Sequence, residues 1–152
     1  MSEAQAVDEE HARPEGAPDE LVEAVGRASE AFEYVERVRG HLYAAHQLMG
    51  RADFLFEEAA DLLDGASCPD DADRMRAQVV GRNLLDGRWT FQIMEEFDDV
   101  YYDAVKAEVR GLEERHMAGR RHVFEAEMKE GRRTRGRPAH EATPAAKHAR
   151  AG

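Results

Sequence analysis

The residues best equipped for chemistry in this chain are carboxylates and histidines one helical turn apart. Glu113-x-x-His116 puts a carboxylate and an imidazole on one side of a helix, the arrangement of a metal-ligand pair. Glu57 is the acid best placed on the first long apolar-patterned segment to complete such a site. Carboxylate and imidazole donors together suit iron, manganese or zinc. A second polar set recurs every seven residues. Arg39, His46 and Asp53 take over the register held earlier by Val25 and Phe32, and so form a polar stripe at the edge of an apolar seam. On a later segment Glu95, Asp98 and Tyr102 share one edge of an apolar face, within a run from Trp89 to Asp103 dense in aromatics and acids.

Doubled by a two-fold axis, one helix-borne acid and one Glu-x-x-His give two Glu and two Glu-x-x-His. In that respect the pattern resembles the ligand set of ferritin-like di-metal bundles, and the resemblance implies a metal held where two copies of the chain meet. The C-terminal stretch offers different chemistry through Arg132, Arg133, Arg135 and Arg137. Its Arg135-Gly136-Arg137-Pro138 resembles the core of an AT-hook, which implies guanidinium groups laid into a narrow A·T minor groove. The chain departs from that pattern after the proline, where Ala139-His140-Glu141 follows. No Gly-rich phosphate loop, nucleophile elbow or His-Glu-x-x-His is present, so no catalytic residue is assigned.

These residues must be positioned by helices. From Leu21 to Leu63 apolar residues hold a seven-residue beat, with Leu21, Ala28, Val35, Leu42, Met49, Phe56 and Leu63 on one register. Ala24, Ala31, Val38, Ala45, Ala52 and Ala59 fall three residues after each of the first six. A strict heptad is the a/d seam of a supercoiling helix, and it predicts one helix over 19–64, with Asp64-Gly65 as its stop. Gly26, Gly40 and Gly50 lie off that seam and cost about 1 kcal/mol each against Ala, with Gly50 the place where a kink would fall. A short helix is predicted near 70–85. A second long helix is predicted over 88–131, where Met94, Phe97, Tyr101, Ala104, Val105, Leu112, His116, Val123 and Ala126 follow a 3.6-residue period.

The expected fold is therefore all-α: a long antiparallel helical hairpin or bundle of two long helices and one short. Residues 1–18 read as a disordered acidic arm, 19–131 as the helical domain and 132–152 as a disordered basic tail. With 32 acidic against 21 basic residues and a net charge of −11, the body disfavours general nucleic-acid binding. Cys68 stands alone, so no intramolecular disulfide forms. The absence of an apolar span or leader sequence points to the cytoplasm. The leading functional reading is a homodimeric regulatory or scaffolding module that works by contact with protein partners. The metalloprotein reading stands second, and DNA association through the tail third.

Overall fold

Pro18 places its carbonyl to accept from the amides of Leu21 and Val22, and Asp19 and Glu20 sit at the positive end of the helix that follows. In the computed structural model, which describes residues 7–141, this helix is α1 (Asp19–Gly65), and it passes Gly40 and Gly50 without a break. Gly65 remains helical. The left-handed residue that ends α1 is Ser67 (φ 62°), and the Cys68 amide donates to the Leu63 carbonyl at 2.9 Å. Next comes α2 (Pro69–Gln78), with Pro69 in its first turn and Asp70 and Asp71 behind it. It stops well short of residue 85, and Gly81 (φ 71°) turns the chain. A tight turn follows in which the Arg88 amide donates to Leu85 at 3.1 Å and Gly87 takes φ 68°.

The chain is mostly helical, with no strand among the described residues. α3 (Thr90–Phe97), a π-helical turn (Asp98–Tyr102) and α4 (Asp103–Met117) form one continuous helical run. The expected second long helix does not continue to residue 131. It ends at Met117, where the Gly119 amide reaches back to the Glu113 carbonyl at 3.0 Å and Ala118, Gly119 and His122 all take positive φ. The apolar period has a gap over residues 118–122, and Met117 and Val123 on either side of it are buried in the same cluster, so the chain must turn back. α5 (Val123–Arg132) follows.

Contacts divide the chain into two units, described here one at a time. One comprises residues 7–32 and 106–141 among those described. Its core is Val22, Val25, Met117 and Val123, with Leu21, Leu112 and Phe124 packed against them. Met117, only 1% exposed, is the largest fully buried side chain among the described residues. Gly26 lets α5 approach closely: a Cβ at this position would stand 2.7 Å from the Phe124 Cβ. Arg13 forks onto Glu127 at 2.7 and 2.8 Å, which ties the segment before α1 to α5.

The other unit comprises residues 33–105, with most of α1, α2, α3 and the π turn. Its buried side chains are few: Ala60, Ala72, Met94 and Tyr102. In the single chain the heptad seam packs only in part: Leu21, Ala28, Val35, Leu42 and Leu63 are half-buried. Val25, Phe32 and Ala60 are buried and Arg39, His46 and Asp53 half-buried, one register past the expected one, while Ala24, Ala31, Val38 and Ala45 face outward. The packed line keeps the seven-residue spacing but lies on the neighbouring register, where the returning segments meet α1.

Candidate functional site

Within residues 33–105 the polar stripe of α1 serves as three tethers. Arg39 donates to both carboxylate oxygens of Asp98 in the π turn, at 2.7 and 2.9 Å. One heptad on, His46 Nδ1 and the Thr90 hydroxyl, at the start of α3, lie 2.7 Å apart in a hydrogen bond. One heptad further, Asp53 accepts from the Gly81 amide at 2.7 Å. Each rung holds a different returning segment, so the heptad spacing of Arg39, His46 and Asp53 sets where the π turn, α3 and the turn at Gly81 lie along α1. The first is charge-assisted and the third joins a carboxylate to a backbone amide, while His46 and Thr90 meet as side chains; directed bonds of this kind fix geometry more tightly than apolar contact does.

Around Arg39 the clamp is elaborate. The guanidinium lies 4.7 Å from the Tyr102 ring centroid and 5.0 Å from that of Tyr43, a cation between two aromatic faces. The Tyr102 hydroxyl donates to Glu36 at 2.7 Å. Arg39 holds the Asp98 carboxyl below the ordinary aspartate range, chiefly through the hydrogen bond. The bond to Glu36, and then desolvation, push the Tyr102 hydroxyl up, since the neutral phenol is the donor. Arg39, Asp98, Tyr102 and Glu36 are each bonded within this set, which is the behaviour of a structural clamp.

The tethers leave an open cleft of about 590 Å³ between them. Met49 and Phe56 of α1 form one wall, Val79 and Leu84 another, and Trp89 and Phe91 a third. Trp89, 61% exposed, meets Phe91 edge-on with ring centroids 5.7 Å apart. The volume lies in the range of small-molecule sites and is large enough for one or two apolar side chains of a partner. Asp53 and Thr90 on its rim already bond to Gly81 and His46, and Gln78, Arg82 and Asn83 also line it, so the cleft offers apolar walls with a polar edge. No protein-family model, curated protein or solved structure matches the chain.

The other residues singled out in the sequence fall as follows. Glu113 is buried (3% exposed), accepting from Arg110 at 2.6 Å and from the Ser29 hydroxyl at 3.1 Å. His116 is half-buried, and Glu57 is exposed on α1. Among the described residues no three His, Cys, Asp or Glu side chains come together as a metal site. Glu95 is exposed, whereas its neighbour Glu96 is paired with Arg88. Arg133 and Arg135 both reach Glu130, and Arg132 and Arg137 are exposed. Residues 142–152 of the basic tail lie outside the described residues. The sequence allows the aromatic run from Trp89 to form a pocket wall, but does not show that Met49, Phe56, Val79 and Leu84 stand opposite it. The signal for that wall was present in the period-two spacing of Trp89, Phe91 and Ile93 just after Gly87, where a helix start exposes successive aromatics instead of stacking them on one face.

Proposed function

We propose that this protein works by contact, as a non-catalytic helical adaptor whose working surface is residues 33–105. The observation that carries the reading is where the exposed apolar side chains lie. Of the sixteen large hydrophobic residues left exposed among those described, only Met128 falls outside residues 34–101. A concentration of this kind on one unit marks an interaction surface, whereas scattered exposure is ordinary. Arg39, His46 and Asp53 support the same reading from the other side, because they hold the unit's segments in place while leaving its apolar groups free. The cleft at Trp89 supplies the pocket into which an anchor residue of a partner would fit.

Site-specific photo-crosslinking tests this. A benzophenone side chain placed at position 89 or 55 gives discrete adducts in the producing cell, and the same group at the exposed position 23 of the other unit gives none. Equal labelling at the three positions, or none at 89 and 55, overturns the reading.

A further inference from the structure

α1 carries a second apolar line, outside the tethers and the cleft. Tyr34, His41, Leu48, Leu55 and Leu62 recur every seven residues, and Val38, Ala45, Ala52 and Ala59 recur between them with alternating steps of four and three. This is a heptad seam in its own right, and its large members point outward: Leu48 is 69% and Leu62 74% exposed. Among the described residues Tyr34, Val38, Ala45, Leu48, Leu55 and Leu62 of this seam are exposed, and Ala52 and Ala59 half-buried.

We infer that this seam is the interface with a second copy of the chain, joined antiparallel about a two-fold axis that passes between Ala45 and Leu48. The proposal rests on the reading of residues 33–105 as a contact surface, and adds the partner and the register. Size complementarity supports it first. The large members all sit on one line of the repeat and the small or medium ones on the other. An antiparallel pair in this register sets Leu48 over the partner's Ala45, Leu55 over the partner's Val38, His41 over the partner's Ala52 and Tyr34 over the partner's Ala59. Every layer then holds one larger and one smaller side chain, so the helix spacing is even along the seam, as close packing requires. A parallel pair in register would stack Leu48 on Leu48 and Ala45 on Ala45, alternating wide layers with narrow ones.

Charge complementarity is the second support. Arg37 and Glu58 flank the seam on the same side of the helix. In the antiparallel register each Arg37 falls beside the partner's Glu58, twice per dimer by symmetry. Within the chain Arg37 lies 5.5 Å from the Tyr34 ring centroid, and Glu58 is only 3.9 Å from Arg51, so both stay at the seam's edge. The opposite flank is apolar, and there Met49 falls beside the partner's Leu42, which continues the buried surface toward the cleft. This flank of α1 is nearly balanced in charge although the whole chain carries −11, so the acidic body does not oppose association here.

Sedimentation equilibrium on the full chain tests the inference. At micromolar concentration the wild type has twice the chain mass of 17.1 kDa. Leu48→Glu, at an outward position, keeps its helical circular dichroism but dissociates with a Kd raised at least about tenfold, because it sets charges beside the axis. Arg37→Glu raises Kd about threefold to tenfold. The double variant Arg37→Glu with Glu58→Arg restores it to within about twofold, as only an antiparallel partner can do. A monomeric wild type, or a dimer indifferent to Leu48→Glu, overturns the interface. A dimer that the charge reversal does not rescue overturns the register. A monomer that still forms adducts with other proteins through position 89 ends this inference and leaves the adaptor reading standing.

Discussion

The two units of this chain are stabilised in opposite ways. Residues 7–32 and 106–141 gather Val22, Val25, Met117 and Val123 into a shared apolar core, with Gly26 hollowed out to let Phe124 approach. Residues 33–105 bury few side chains, Ala60, Ala72, Met94 and Tyr102, and hold their segments with Arg39–Asp98, His46–Thr90 and Asp53–Gly81. Burying apolar area and fixing geometry with directed polar bonds need not coincide, and here they are divided between units. The unit that spends its apolar groups inside has few to offer a partner. The unit held by polar rungs keeps its Leu, Phe and Trp side chains at the surface.

Substitutions can break or sharpen this contrast. The largest effect is expected at Met117→Ala, which empties the apolar core and costs about 3 kcal/mol in chemical denaturation. A loss below about 1 kcal/mol would mean that the core is not close-packed. Next is a matched glycine pair. Gly26→Ala drives a Cβ into Phe124 and destabilises by about 2 kcal/mol in spite of alanine's better helix propensity. Gly40→Ala has nothing within 4 Å and stabilises by about 1 kcal/mol. If both substitutions shift the melting curve the same way, close approach is not what distinguishes the units.

The clamp predicts a pH signature at both ends. Asp98 is held below its ordinary value of 3.8, so its bond to Arg39 contributes fully above that value and is lost as the pH falls below it. Tyr102 is raised above its ordinary 10.0, so its bond to Glu36 contributes fully below pH 10 and is lost as the pH rises further. Arg39→Met therefore flattens the acid limb of the stability profile, and Tyr102→Phe the alkaline limb. Unchanged limbs would show that the clamp carries no stability. The smallest effect is expected at Phe54→Ser, within about 0.5 kcal/mol, because this ring is exposed and lies outside the proposed seam. Its phenylalanine counterpart in an ordinary core would cost several kcal/mol.

Much of the secondary structure was legible in residues alone. Pro18-Asp19-Glu20 marks the start of α1, Pro69-Asp70-Asp71 that of α2, and the apolar repeat is long enough to predict a continuous helix through Gly40 and Gly50. The end of α4 was less legible. Ala118 is a good helix former, and only burial of both Met117 and Val123 in one core explains why it accepts a left-handed conformation. Gly26, read from sequence as a weak point, turned out to be a point of close approach. The spacing of Arg39, His46 and Asp53 was visible, but their use was not, because seven-residue spacing shows that side chains share a face and says nothing of what comes to meet it.

What the sequence by itself determined about this protein is its helical class, the extent of its longest helix and the two registers of apolar residues that helix carries. These follow from local sterics, capping and periodicity, all of which act between residues near in sequence. Only the tertiary structure decided which register is packed within the chain and which is left outward, and so made Glu113 a partner for Arg110 and Ser29 and Trp89 the wall of a cleft. Those choices depend on residues dozens of positions apart, because the face of α1 that is packed is the one the returning segments bond to.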